Sequence, residues 1–243
     1  MCSSDLQLLN ELVPTAKQFA RPPISGYHVG IAGLGESGNI YLGVNIEFPY
    51  MPLNYTIHGE QFMVVNARMH GETKLIAAAQ SAAPCGHCRQ FYHEMGISDD
   101  FIILTPNNPS KILSTFLPEA FGPKDLNMEA TLLTNSCLAS SALEAANTSY
   151  APYSGAKSGI AIQTKDGSIY TGAYLENAAF NPTLSPFHTA IIALVIGGKE
   201  YSEITEVILV EDPHAKVRQA PLCRQILDVI APSATFETSQ LSL

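Results

Sequence analysis

The stretch Pro84-Cys85-Gly86-His87-Cys88, taken with His58-Gly59-Glu60 earlier in the chain, indicates both the fold and the chemistry. The C-x-x-C spacing allows both thiols to bind one metal ion from a single turn. His58 lies 27 residues before Cys85 and supplies a third ligand, which leaves the fourth tetrahedral position open for water. Glu60 is close enough to that water to exchange a proton with it. The pattern predicts a catalytic metal site.

Length and composition exclude several classes of protein. The chain has 243 residues, of which 46% are apolar and 14% charged, as in an ordinary globular protein of one large domain or two small ones. The net charge is −9, and no run of Lys or Arg is present. Long nucleic acids are bound by neutralising their phosphates, so we expect no nucleic-acid partner.

The cysteines and the N-terminal region indicate a cellular location. Cys2, Cys137 and Cys223 stand alone outside the metal motif, which is typical of reduced thiols in a reducing compartment. The first 20 residues lack the basic and continuous apolar regions of a signal peptide. No apolar run approaches the roughly 20 residues that cross a bilayer. We therefore expect a soluble cytoplasmic protein with no membrane partner.

Apolar periodicity and turn residues divide the first half into alternating helices and strands. Ser3-Ser4-Asp5 begins an amphipathic helix over 3–20, and Glu36-Ser37-Gly38 is a hairpin turn between two strands. In chain order, the other predicted elements are strands over 28–34 and 39–48, a loop over 49–57, a helix over 58–69, a strand over 75–79, a helix over 88–95, a strand over 101–105, an irregular connection over 106–136 and a helix over 140–147. The predicted ligands then lie at two helix N-termini, where the helix dipole favours thiolates.

Two further features bear on the site. Asn45 and Glu47 lie two residues apart on a predicted strand, so their side chains share one face, either exposed to solvent or presented to sugar hydroxyls. The nearby metal motif favours the second interpretation. His70-Gly71-Glu72 repeats the H-x-E pattern but lies only 15 residues before Cys85. A strand must fit in that gap, so we interpret this tripeptide as the turn that ends a helix and reject it as a ligand.

The second half of the chain repeats the first. Residues 154–161 align with 25–32, and 167–172 with 38–43, at a constant offset of 129 that conserves glycine and apolar positions. Such self-similarity predicts a repeated backbone and core.

The two repeats differ at the positions that carry the chemistry. Asn45 aligns with Tyr174, His58-Gly59-Glu60 with His188-Thr189-Ala190, and the C-x-x-C motif with a segment that keeps only Cys223. One cysteine and one histidine make a poor zinc site. We therefore predict a second half that is retained for structure, with His188 and Cys223 as core or surface residues.

The H-x-E and P-C-x-x-C motifs resemble those of the zinc deaminases, which attack an amino-substituted ring carbon of cytosine or adenine. Over nearly its whole length the chain resembles the two-domain, homodimeric cytidine deaminases. The resemblance rests on residues 43–48, 58–60, 84–91, 121–126 and 176–182. It implies two tandem α/β/α sandwich domains of the cytidine deaminase fold, the second degenerate. We expect a catalytic domain over 1–110, a connection over 111–149 and a degenerate domain over 150–243.

The resemblance also implies roles for individual residues. His58, Cys85 and Cys88 would hold Zn²⁺, and Glu60 would be the catalytic acid–base residue. Asn45 and Glu47 would bind the ribose, Tyr27 would stack on the base, and Phe121 of a partner subunit would help to close the pocket. Gly59 stands where alanine is usual, but its backbone N–H remains able to contact the base. His87 would lie beside the metal ligands or face solvent, because three ligands and a water complete the tetrahedron.

The activity that these roles imply is hydrolysis of a cyclic amidine C–N bond: cytidine and deoxycytidine would become uridine and deoxyuridine, with release of ammonia, in pyrimidine salvage. Three alternatives stay open. In the first, the substrate is another amino-substituted heterocycle. In the second, the chain is a non-catalytic zinc-stabilised binding protein, and in the third, the C-x-x-C motif is redox-active. An intact Glu60 argues against the second alternative, and tightly bound zinc would exclude the third.

Overall fold

A computed structural model describes residues 3–96, 100–133 and 141–241, which form two compact units. Of the described residues, the first unit contains 3–47, most of 53–133 and Asn177–Pro182. The second unit contains Phe48–Pro52, 141–176 and 183–241. Each unit thus includes a short segment from the other half of the sequence. The predicted domain boundaries at residues 110 and 149 stay predictions.

The first unit is built on a five-stranded mixed sheet in the order β2-β1-β3-β4-β5. Only β3 and β4 run parallel, and the other neighbours are antiparallel. Its elements are α1 (Ser3–Lys17), β1 (Gly30–Gly35), β2 (Ile40–Val44), a 3₁₀ turn (Leu53–Tyr55), α2 (Gly59–Met69), β3 (Leu75–Gln80), α3 (Gly86–His93), β4 (Ile102–Leu104), β5 (Lys111–Ile112), α4 (Leu113–Phe116) and a second 3₁₀ turn (Pro123–Leu126).

Helices cover both faces of this sheet. Ala32 of β1 packs against Leu9 and Val13 of α1 in one buried cluster. The next residue, Gly33, faces Met63 of α2, because successive strand residues point to opposite faces. The close approach of α2 requires glycine at Gly43, where a Cβ atom would lie 2.3 Å from the carbonyl oxygen of Gly59. The predicted α/β/α sandwich is confirmed.

The second unit repeats this design on a four-stranded sheet in the order β7-β6-β8-β9. The register is interrupted between Leu34 and Gly35 in the first unit and between Gln163 and Thr164 in the second, at the predicted offset. Its elements are α5 (Ala142–Asn147), β6 (Ser158–Thr164), β7 (Ile169–Ala173), α6 (Pro186–Ile196), a 3₁₀ turn (Tyr201–Glu203), β8 (Ile204–Glu211), α7 (Ala220–Ile230) and β9 (Thr235–Gln240). The predicted duplication of the fold is confirmed.

Most of the predicted elements are present, with shifted ends. The second strand is shorter than predicted and ends at Val44, so Asn45 and Glu47 follow it rather than lie on it. The prediction of an irregular connection over 106–136 was wrong for Lys111–Phe116, where a two-residue strand pairs with β4 and a short helix follows. The predicted helix over 140–147 appears as α5, and residue 140 lies outside the described residues.

In the part of the chain that the structure describes, no helix is both long enough and apolar enough to cross a membrane. Cys223 is a buried free cysteine. Two residues of the cysteine prediction, Cys2 and Cys137, lie outside the described residues.

Candidate metal centre and active site

Two helix N-termini position the three predicted ligands. His58 is the N-cap residue of α2, and Cys85 is the N-cap residue of α3, both with extended backbone conformations. Cys88 lies in the first turn of α3 and is buried. Because the positive end of the helix dipole favours negative charge, this placement stabilises thiolates. The expected position of the ligands at two helix N-termini is confirmed.

The three ligand atoms lie close to the spacing of ligands around tetrahedral zinc. The Nδ1 atom of His58 lies 3.6 Å from Sγ of Cys85 and 3.3 Å from Sγ of Cys88, and the two Sγ atoms are 3.4 Å apart. Tetrahedral zinc with ordinary bond lengths separates nitrogen from sulfur by about 3.6 Å and two sulfurs by about 3.8 Å. Within the described ranges, His, Cys, Asp and Glu side chains form one cluster that could hold a metal ion, and it consists of these three residues. They fit zinc.

The two thiols differ in acidity. The hydrogen bond with Cys88, aided by contact with His58, outweighs burial and lowers the pKa of Cys85 to about 3. Burial raises the pKa of Cys88 well above its ordinary value. Metal binding requires both thiols to be deprotonated, so a cation bound here takes the place of the Cys88 proton.

Glu60 lies in the first turn of α2, beside these ligands. Its side chain is only 7% exposed and hydrogen-bonds with the Cys88 thiol. Burial raises the pKa of Glu60, although the hydrogen bond with Cys88 opposes the shift. A raised pKa makes the carboxylate a stronger proton acceptor, as a residue that takes a proton from water requires. The structure thus brings His58, Glu60, Cys85 and Cys88 together.

Asn45, Glu47 and Tyr27 form a second group around the loop that precedes β1. The Asn45 amide accepts from the N–H of Val29 and donates to the carbonyl of Tyr27, both at 2.9 Å. Glu47 accepts two backbone N–H bonds at 2.9 Å and the hydroxyl of Ser25 at 2.5 Å. Although burial opposes it, this hydrogen bonding lowers the pKa of Glu47. Both side chains shape the loop that carries Tyr27, which is 57% exposed.

The two remaining predicted site residues lie at helix contacts. At Gly59, an added Cβ atom would lie 2.9 Å from Cγ1 of Val29, so the first turn of α2 packs directly against the loop that Asn45 holds. The side chain of Phe121 is 48% exposed, and its carbonyl accepts a hydrogen bond from the Gln90 side chain of α3 at 2.7 Å.

Gln61 is a site residue that the sequence analysis missed. Its side chain is buried, accepts from the N–H of His58 at 3.0 Å and lies 3.0 Å from Nε2 of His87. Glutamine three residues after an N-cap is one half of the capping-box pattern, and that half was available in the sequence. The ring of His87 stacks on that of His58, with centroids 4.7 Å apart, and is partly buried. Of the two predicted environments for His87, the one beside the ligands is confirmed.

The corresponding positions of the second unit hold no such site among its described residues. His188 is buried, and its Nδ1 atom lies 2.8 Å from the hydroxyl of Ser185, which caps α6. Cys223 is fully buried, and burial raises the pKa of its thiol. Both are core residues, which is one of the two environments predicted for them.

The rejected motif His70-Gly71-Glu72 ends helix α2, as predicted. His70 is the C-cap residue, and Gly71 has a φ of 76°, which favours glycine. Glu72 is buried and hydrogen-bonds with Ser37 and Tyr41. The tripeptide is therefore a structural turn.

Both halves of the chain match family models with the description "Cytidine and deoxycytidylate deaminase zinc-binding region", over residues 3–104 and 113–224. Cytidine deaminase 1 of Arabidopsis thaliana is 40% identical and covers 96% of this chain and 90% of its own length. The cytidine deaminase of Sodalis glossinidius is 39% identical, with coverage of 96% and 82%. A solved cytidine deaminase of Mycobacterium tuberculosis is 31% identical over 49% of this chain and 98% of its own, with a TM-score of 0.45. Together with the donor set in the first unit, the family models establish zinc as the cofactor.

Proposed function

The chain belongs to the cytidine deaminase family, and on that basis we propose that it deaminates cytidine and deoxycytidine hydrolytically. The products are uridine or deoxyuridine and ammonia. The observation that carries the proposal is the buried Glu60, in hydrogen-bond contact with Cys88 beside three ligand atoms that lie within 4.8 Å of one another. A purely structural zinc site closes its fourth position with a protein ligand and has no use for such a carboxylate.

In the mechanism that we propose, His58, Cys85 and Cys88 hold zinc, and Glu60 moves the protons. Bound zinc supplies Lewis acidity, which lowers the pKa of water to about 7. Glu60 accepts a proton from the attacking water and delivers it to N3 of the ring, which makes C4 electrophilic. The water oxygen bonds to C4, and Glu60 then takes the second proton from that oxygen and passes it to the amino group as the C4–N bond breaks and the C4=O bond forms. Water is consumed and ammonia leaves, so atoms and protons balance.

Substrate binding is assigned to the loop that precedes β1 and to the first turn of α2. The Glu47 carboxylate has about four lone-pair sites and uses three in the loop, so one is left to accept a ribose hydroxyl. We propose that Asn45 assists it and that the exposed ring of Tyr27 stacks on the base. The backbone of Gly59 contacts the base in the same proposal.

We further propose a homodimer in which Phe121 of the partner subunit closes the pocket. The exposed ring of Phe121 supports this, because its backbone is held by Gln90 while its side chain projects outward. A role in pyrimidine salvage follows from the proposed substrates. We also propose a cytoplasmic location, since a site that uses Cys85 and Cys88 as thiolate ligands needs both thiols reduced.

Product analysis tests the substrate class. Zinc-loaded protein is incubated separately with cytidine, deoxycytidine, cytosine, cytidine monophosphate and adenosine, and the products are separated by chromatography. We expect uridine and deoxyuridine, each with one equivalent of ammonia, and little conversion of the other three compounds. Conversion of the free base or the nucleotide in preference to the nucleosides would refute the assignment of a ribose-binding loop.

A further inference from the structure

We propose that Gln61 and His87 are positioning residues that fix the ring of the ligand His58, and that a backbone carbonyl supplied by the second repeat holds them in place. The inference rests on the zinc site of the proposed function, and it concerns the residues around that site rather than the reaction. In this proposal the second repeat, which has no metal ligands among its described residues, supports the metal site of the first.

Both polar atoms of the Gln61 side-chain amide have hydrogen-bond partners. It is 1% exposed, and its oxygen accepts from the N–H of His58 at 3.0 Å. Its nitrogen lies 3.0 Å from Nε2 of His87 and 3.0 Å from the carbonyl oxygen of Pro182. An amide nitrogen has two hydrogens, so one is donated to each acceptor. Gln61 therefore ties the backbone of one ligand to the ring of His87 and to a distant loop.

His87 transmits this restraint to the ligand ring. The imidazoles of His87 and His58 are nearly parallel, with an interplanar angle of 16° and centroids 4.7 Å apart. A metal-binding histidine is usually oriented by a hydrogen bond to its other ring nitrogen. Within residues 3–96, 100–133 and 141–241, no protein group hydrogen-bonds to Nε2 of His58, whose contacts run through Nδ1. Stacking on His87 takes the place of that hydrogen bond.

The carbonyl of Pro182 belongs to Asn177–Pro182, the segment of the second repeat that lies in the first unit. The same segment is fastened to the helix that carries Cys88. The side chain of Asn177 donates to the carbonyl of Gln90 at 3.2 Å, and the N–H of Ala178 donates to the buried carboxylate of Glu94 at 3.1 Å. The second repeat thus forms hydrogen bonds with both helices that hold ligands, through Pro182 to α2 and through Asn177 and Ala178 to α3 and its C-cap residue.

The second unit shows what is lost where no metal is bound. His188 aligns with His58, and the residue three positions later is Ile191 instead of glutamine. The ring of His188 contacts Ser185 on its own helix and packs against Phe48. The amide accompanies the ligand set: it is present in the repeat with His58, Cys85 and Cys88 and absent from the other.

The rate of zinc release tests the inference without any substrate. Zinc-loaded Gln61→Leu is mixed with a colorimetric chelator, and release is compared with that of the parent. Loss of partners behind a metal ligand typically weakens metal binding by about 10–100-fold, so we expect a comparable acceleration. The matched control is Asn66→Leu on the same helix. It removes the hydrogen bond from the Asn66 side-chain amide to the carbonyl of Leu42, away from the ligands. We expect Asn66→Leu to release zinc at the parent rate.

A spectroscopic comparison separates positioning from general destabilisation. The visible spectrum of bound Co²⁺ reports ligand geometry, and we expect it to change in Gln61→Leu and to stay unchanged in Asn66→Leu. If Gln61→Leu does not fold, Gln61→Glu serves instead, because it keeps the acceptor for His58 but loses the donor to Pro182. Parent-like zinc release and Co²⁺ spectra in either folded Gln61 variant would overturn the inference. A parent that holds zinc but leaves cytidine intact would overturn the proposed function alone.

Discussion

Glu47 and Glu176 occupy corresponding positions of the two repeats and accept the same set of hydrogen bonds. Each carboxylate binds two successive backbone N–H groups and one serine hydroxyl, from Ser25 in the first unit and Ser154 in the second. The described part of the second unit has no metal site, so this arrangement serves the fold in both repeats. Any binding of substrate by Glu47 is an addition to that structural role.

Glutamine substitutions at these two positions separate the two roles. Hydrogen bonds to a charged group contribute about 1.5–3 kcal/mol, so we expect Glu47→Gln and Glu176→Gln to lower the free energy of unfolding by similar amounts of this order. Only Glu47→Gln should raise KM for cytidine, by about tenfold or more if one charged hydrogen bond to ribose is lost. Urea unfolding and steady-state kinetics measure the two effects. An unchanged KM in Glu47→Gln would remove this residue from the substrate site.

Glu72 should make stability depend on acidity. Hydrogen bonds from Ser37, Tyr41 and two backbone N–H groups outweigh burial and lower the pKa of Glu72 in the folded protein. A depressed folded pKa stabilises the protein above the unfolded value of about 4.3, and this stabilisation is lost as the pH falls further. We expect the free energy of unfolding of the parent to fall more steeply below about pH 4.5 than that of Glu72→Gln. Equal slopes in urea titrations would contradict this.

Gly59 should not tolerate the alanine that is usual in the family without a change in Val29. A Cβ atom at position 59 would lie 2.9 Å from Cγ1 of Val29 and 3.2 Å from Cδ1 of Ile31. Overpacking of this kind costs about 1–3 kcal/mol, which exceeds the gain of up to about 1 kcal/mol from replacing a helical glycine. We expect Gly59→Ala to lower Tm and Val29→Ala to relieve part of that loss. A double-mutant cycle with no coupling between the two changes would show that the contact is not the cause.

Cys88 and Cys223 are aligned cysteines for which we predict opposite effects on metal content. Both are buried, but only Cys88 lies with His58 and Cys85. Cys88→Ala should therefore lose bound zinc, whereas Cys223→Ala should retain one zinc per chain and lose about 1 kcal/mol of stability from a core cavity. Elemental analysis of the purified proteins measures the difference. Loss of zinc from Cys223→Ala, with the fold intact, would show that the second repeat also contributes to metal binding.

The sequence predicted the features that local spacing determines. The C-x-x-C turn, the helix that starts at His58 and the alternating elements each depend on residues close in sequence, and the structure contains them with shifted ends. The two-residue strand Lys111–Ile112 was missed because such a short element has no periodicity to read.

Contacts between segments far apart in the chain could not be predicted from the sequence. Gln61 and Pro182 are separated by 121 residues, and no pattern within either segment indicates that they meet. Asn45 and Glu47 were expected to share one strand face. Instead they follow β2 and form hydrogen bonds with backbone groups of the loop that precedes β1. These bonds depend on the path of that loop.

The most direct test of the proposed active site is the loss of ultraviolet absorbance when cytidine meets the parent protein and Glu60→Ala, with zinc content measured in both. Removal of the buried carboxylate should leave the three ligands in place. We predict turnover by the parent and none by a zinc-loaded Glu60→Ala protein. No turnover by a folded, zinc-loaded parent, or undiminished turnover by Glu60→Ala, would contradict the assignment of this site as a cytidine deaminase centre in which Glu60 moves the protons.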